Sequence, residues 1–157
     1  MAMTSARRVF VDTNVLTRAT IASAPLHLEA IENLARLRRM DVELWISHQV
    51  IREYVANATR PQQYSPPIAI EQVLDQVRRF REQFKLAENT TAVLENLLAL
   101  IDEFPTGGKQ VHDANIVATM LAYGIDTLIT HNVEDFRRFE SKITIAPLVD
   151  ERLLGRT

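Results

Sequence analysis

Cysteine is absent from the 157 residues, which removes disulfides, zinc–thiolate sites and thiol nucleophiles together. No apolar run approaches the ~20 residues that a membrane-spanning helix needs. Arg7 and Arg8 precede only Val9, Phe10 and Val11 before Asp12 interrupts, so no secretory leader is evident. The expectation is a soluble, cytoplasmic protein with no membrane partner. Neither sign of charge dominates: 18 Lys plus Arg stand against 20 Asp plus Glu, for a net charge of -2. That balance excludes a passive polyelectrolyte binder of the histone kind, but not a nuclease, which needs only local basic patches. Glycine is scarce, at four residues. The run Gly107-Gly108-Lys109 lacks the upstream glycine of a phosphate-binding loop and reads as a turn.

What is present suits one globular domain over residues 1–157, with 46% hydrophobic and 24% charged residues. Val9–Val11 reads as a short buried strand, Val42–Ile46 as a second and Thr127–Thr130 as a third, with a weaker one at Lys142–Ala146. Phe84-Lys85-Leu86 reads as a short edge strand. Amphipathic segments lie between them, over Leu26–Met40, His48–Ala58, Ile68–Phe84, Asn89–Phe104 and Val111–Tyr123, and a short last helix is expected over Val149–Leu154. Ser47 is placed to cap the second of these segments, and Gly124 to end the fifth. Thr59–Pro67, with three prolines, is a loop. Strands separated by helices indicate a parallel sheet covered on both faces, with ligands beyond the carboxyl ends of the strands.

Four acids fall at the boundaries of these elements. Asp12 closes the first strand and Glu53 lies in the helix after the second. Asp113 opens a late helix in His112-Asp113-Ala114, and Asp135 follows Thr130-His131-Asn132. Each has a bland explanation. Asp12 suits an N-cap, Glu53 points away from its helix's apolar stripe like most solvated glutamates, and Asp135 or Asn132 suits a second cap. Asp113 is less ordinary, because it heads the stripe Ile116, Val117, Met120, and a carboxylate on an apolar face must be paired, hydrogen-bonded or metal-bound. Two carboxylates about 4 Å apart repel by about 4 kcal/mol at an effective dielectric near 20. A cluster of them therefore points to a divalent cation. Oxygen-only ligands suit Mg²⁺ or Mn²⁺, whose chemistry is phosphodiester hydrolysis. His27, His48, His112 and His131 show no paired metal-ligand spacing. Lys109, at its glycine turn, and Arg137 and Arg138, just after Asp135, are the candidate contacts to a substrate backbone.

Val11-Asp12-Thr13-Asn14, the glutamate at 53, His112-Asp113-Ala114 and Thr130-His131-Asn132 leading to Asp135-Phe136 together resemble a PIN domain, the nuclease fold of VapC-type toxins in toxin–antitoxin pairs. The resemblance implies a three-layer α/β/α sandwich with a central parallel sheet. It makes Asp12, Glu53, Asp113 and Asp135 the catalytic acids, of which Asp12, Asp113 and Asp135 hold Mg²⁺ or Mn²⁺. Thr13, Asn14, Thr130 and Asn132 would support them. It further implies endoribonuclease activity on single-stranded RNA, a homodimer and a cognate antitoxin. Asn132 stands where many relatives carry another acid, which favours one metal rather than two. The segment 59–104 matches only as helices.

The alternative class is a non-catalytic RNA- or protein-binding PIN module, which has no need to keep all four acids. A phosphatase of the haloacid-dehalogenase kind also begins with a strand and Asp, but needs a second Asp where this chain has Asn14.

Overall fold

The order of the strands decides where the acids meet. The computed structural model describes residues 7–149. In chain order they form β1 (Arg8–Val11), α1 (Thr13–Thr20), α2 (His27–Arg39), β2 (Glu43–Ser47), α3 (His48–Ala58), α4 (Ile70–Gln83) and β3 (Lys85–Ala87). There follow α5 (Thr91–Glu103), α6 (Gln110–Ala122), β4 (Thr127–Thr130), α7 (Val133–Phe136), a 3₁₀ turn at Arg137–Phe139 and β5 (Thr144–Pro147).

The five strands pair in the order β3-β2-β1-β4-β5, all parallel. Phe10 of β1 lies level with Trp45 on one side and Leu128 on the other. From β1 the chain steps outward to β2 and β3, then crosses back and steps outward again through β4 and β5. Right-handed crossovers put the helices of these two halves on opposite faces. Accordingly α1 packs on α2 and α3, and α3 on α4, while α5 packs on α6 and α6 on α7. The result is the expected α/β/α sandwich. The strand order reverses between β1 and β4, and at such a point the two flanking connections diverge and leave a crevice.

Burial explains why each run becomes the element it does. Val9, Phe10 and Val11 are almost wholly buried and all four residues of β4 are buried, so neither strand alternates in polarity. The edge strands β3 and β5 are partly exposed. Phe136 and Phe139 are both fully buried and anchor the short α7 and the turn after it, with Phe139 edge-on to Phe104 at 5.7 Å between centroids.

Helix ends match their local chemistry. The Ser47 hydroxyl accepts from Val50 N at 3.3 Å, and Thr90 accepts from Val93 N at 3.4 Å. After α6, Gly124 takes φ +65. Ile125 N then reaches back to Met120 O at 2.9 Å and Gly124 N to Leu121 O at 3.4 Å, a Schellman turn that feeds buried Ile125 toward β4.

Element boundaries differ from the sequence reading by one or two residues, and at two of them the physical reason is plain. Helix α4 begins at Ile70 rather than Ile68, because Pro66 and Pro67 hold the chain extended and Ile68 N is tied to Ala58 O at 2.8 Å. Strand β5 begins at Thr144 rather than Lys142, because Lys142 N and Ile143 N both turn back to Phe139 O. The expected last helix lies outside the described residues except for Val149, which sits in a bend.

Removing the cap of α3, which carries Glu53, has a defined cost. Ser47→Ala is expected to lower unfolding stability by about 1 kcal/mol in a denaturant titration. An unchanged midpoint would show that the Ser47–Val50 bond contributes nothing.

Candidate functional site

Asp12 leaves the end of β1 and is the N-cap of α1. Its Oδ1 accepts from Thr13 N at 2.8 Å. Its Oδ2 accepts from the Thr130 hydroxyl at 2.8 Å and from Asn14 Nδ2 at 3.0 Å. The bland reading as a cap is therefore correct and incomplete, since one oxygen caps while the other is held across the switch point by β4. Thr130 is fully buried and its hydroxyl also receives Asn132 N at 3.0 Å. Asn14 spans the same gap, with its Oδ1 taking His131 N at 2.9 Å. Asp12 remains only 6% exposed, and burial pushes its carboxyl up to about 6 against these bonds, with the charge of Glu53 adding to the rise.

Glu53 approaches from the other side of α1. Its Oε2 accepts the Thr13 hydroxyl at 2.8 Å and its Oε1 accepts Gln49 Nε2 at 3.0 Å. The bland explanation of Glu53 as a solvated glutamate does not hold, because it is half-buried and both its oxygens are engaged. The apolar stripe of α3 measures packing on the sheet. Glu53 points off that stripe toward α1, which is a protein surface and not water. The same Gln49 amide donates to His112 O at 2.8 Å, and its oxygen accepts Asn115 Nδ2 at 2.7 Å. Sequence reasoning passed over Gln49 and Asn115. The available signal was the four-residue spacing of Gln49 and Glu53, which puts them on one face of a helix.

Asp113 lies in the first turn of α6 and is half-buried. Its carboxyl is raised to about 7, first by burial and then by the charges of Asp12, Asp135 and Glu53, with Arg138 opposing. Asp12, Glu53 and Asp135, from the end of β1, α3 and α7, are thus each within electrostatic reach of Asp113 on α6, and Glu53 of Asp12. Asp135 is exposed, in the first turn of α7. Asn132 occupies the N-cap position of α7, yet its side chain makes no capping bond and only its backbone carbonyl receives Asp135 N.

The basic candidates divide. Arg138 lies close enough to Asp113 to lower its pKa, and its guanidinium reaches the Thr106 hydroxyl at 3.4 Å. Arg137 turns outward into a two-pronged bond with Glu134, at 2.6 to 3.1 Å. Lys109 is exposed at the N-terminus of α6 and is absent from the charges that move Asp113.

Among the described residues no three His, Asp or Glu side chains are close enough to hold one ion between them as they stand. Both oxygens of Asp12 and both of Glu53 are turned to protein donors. The donor set is nonetheless all oxygen, and mutual repulsion among its carboxylates is what an added cation offsets. A hard cation that keeps several waters and takes one or two carboxylates directly fits such a set.

Fold and site together define a doubly wound α/β protein with an acidic crevice at the strand-order switch. The chain belongs to the PIN domain family, whose model matches residues 9–142. Ribonuclease VapC48 of Mycobacterium tuberculosis is 27% identical over 131 residues, which cover 82% of this chain and 90% of that protein. The fold is shared with VapBC2 from Rickettsia felis, solved with a DNA fragment from its promoter, at a TM-score of 0.68 and 17% identity over 89% of this chain and 98% of that one. VapBC-1 from nontypeable Haemophilus influenzae gives the same TM-score of 0.68 at 17% identity, over 91% of this chain and 99% of that one.

The cluster has a consequence for stability. Asp113 binds its proton more tightly when folded than its ordinary value near 3.8 allows, so folding takes up a proton between about pH 4 and 7. Stability from this group is fullest at the acid end and falls as pH rises through that window. In metal-free protein at pH 8, Asp113→Asn is expected to stabilise by about 1–2 kcal/mol, a figure already reduced because the group is half exposed. The gain should vanish near pH 4. Equal melting temperatures at pH 8 would show that the acids do not repel one another.

Proposed function

We propose that this chain, as one PIN nuclease domain over residues 1–157, is a metal-dependent endoribonuclease that hydrolyses phosphodiester bonds of single-stranded RNA. We further propose that it is the toxin of a toxin–antitoxin pair, working in the cytoplasm as a homodimer. The observation that carries the reading is the gathering of Asp12, Glu53, Asp113 and Asp135 from four separate elements at the switch between β1 and β4. Burial raises Asp12 and Asp113, and the charges of nearby acids, Glu53 for Asp12 and Asp12, Asp135 and Glu53 for Asp113, raise them further. A protein with no use for such a cluster gains by losing it. The likeness to a ribonuclease and to toxin–antitoxin complexes supports the choice of substrate and partner.

In this reading Asp12, Asp113 and Asp135 hold Mg²⁺ or Mn²⁺, and Glu53 orients the attacking water. A bound divalent cation supplies a more acidic water and neutralises charge on the phosphate. Thr13, Asn14, Thr130 and the backbone of Asn132 fix the direction of Asp12 and Glu53 at the carboxyl end of the sheet. Arg138, beside Asp113, contacts the phosphate under attack. Lys109 and Arg137 lie on the rim and meet flanking phosphates, the latter by exchanging Glu134 for substrate, since an exposed ion pair holds it weakly.

Asp12→Asn is expected to reduce Mn²⁺- or Mg²⁺-dependent cleavage of single-stranded RNA at least about 100-fold, which is about 2.7 kcal/mol of barrier. The circular dichroism spectrum should be retained. Undiminished cleavage by that variant would remove the mechanism.

A further inference from the structure

Gln49 and Asn115 form the side-chain bridge between the two helical layers at the carboxyl edge of the sheet. Gln49 lies on α3, in the layer of α1 and α4, whereas Asn115 and His112 lie on α6, in the opposite layer. Gln49 is only 7% exposed, and a buried amide must find partners for its N–H groups and oxygen. It finds them all here. Nε2 gives one hydrogen to Glu53 Oε1 at 3.0 Å and the other to His112 O at 2.8 Å, and Oε1 takes Asn115 Nδ2 at 2.7 Å.

This pattern has a direction. Asn115 offers a donor, which fixes the Gln49 oxygen on its own side and forces the NH₂ group toward Glu53 and α6. One of those hydrogens lands on a carboxylate from the acid cluster. The other lands on the carbonyl of the residue immediately before Asp113. Glu53 is then gripped from both sides, with the Thr13 hydroxyl at 2.8 Å on its second oxygen.

We propose that Gln49 is a positioning residue, oriented by Asn115, that sets the spacing between Glu53 and Asp113 across the site. The inference rests on the ribonuclease reading above and deepens it. Gln49 does not touch substrate. It acts by holding one acid and the backbone of another, and polar supports of this kind typically change activity or metal affinity about 10–100-fold when removed.

The test uses Gln49→Met, which keeps the length of the side chain without its hydrogen bonds, together with Asn115→Ala and the double variant. RNA cleavage is measured as kcat and KM, Mn²⁺ affinity by titration calorimetry, and folding by melting temperature. Gln49→Met is expected to lower kcat about 10–100-fold with KM for RNA within about twofold, and to weaken Mn²⁺ binding. Because Asn115 acts through Gln49, the double variant should be no slower than Gln49→Met alone. Wild-type kcat and Mn²⁺ affinity in Gln49→Met would overturn the proposal. So would a kcat loss that only tracks melting temperature, or effects of the two substitutions that simply add. Should the wild-type protein bind Mn²⁺ but cleave no RNA, the ribonuclease reading fails, and Mn²⁺ affinity alone decides for or against Gln49. Should it do neither, both fail.

Discussion

A single buried carboxylate organises this end of the molecule. Asp12 terminates β1 and is held by the Thr13 backbone, the Thr130 hydroxyl and the Asn14 amide. Those three partners come from the start of α1 and the end of β4, the elements that diverge on either side of the strand-order switch. Three good bonds do not offset burial, and its pKa rises to about 6. A second carboxyl nearby, Asp113, is driven up to about 7 by burial and by its acidic neighbours. The fold has concentrated acidic groups around one carboxylate that it also buries. Such an arrangement is relieved when something positive, a proton or a cation, shares the space.

Topology supplies what the local chain cannot. Asp12 and Thr130 are 118 residues apart in sequence and 2.8 Å apart in space. The parallel pairing of β1 with β4 makes this contact unavoidable, since Val11 lies level with Ile129 and both strands end together. Glu53 enters because β2 neighbours β1 on the other side and α3 follows β2 directly. Asp113 enters from the opposite layer, at the start of a helix that crosses back over the sheet toward β4.

Much of this was legible in the chain, for identifiable reasons. The apolar run Val9–Val11 and the β-branched-rich Thr127–Thr130 mark strands buried on both faces, and Ser47 and Gly124 mark helix ends through their own chemistry. Asp113 stood out because an acid at the head of an apolar stripe demands a partner. Glu53 did not, because a helical wheel records which face meets the sheet and is blind to contact along the helix's other sides. For a related reason Gln49 showed only its four-residue spacing to Glu53, and Asn115 showed nothing. An amide's role depends on which donor meets which acceptor across layers, and no periodicity encodes that. Arg137 and Arg138 look equivalent in sequence, yet one turns to Glu134 and the other toward Asp113. Adjacent residues in a tight turn point in different directions, and only packing of Phe136 and Phe139 sets which.

The most direct measurement is the anomalous scattering of crystals grown or soaked with Mn²⁺. A peak within coordination distance of the Asp12 and Asp113 carboxyl oxygens, facing Asp135 and abolished by Asp12→Asn, is the expected result. No peak at saturating Mn²⁺, or one bound elsewhere on the surface while the crevice carboxyls stay unchanged, would contradict a cation-centred site.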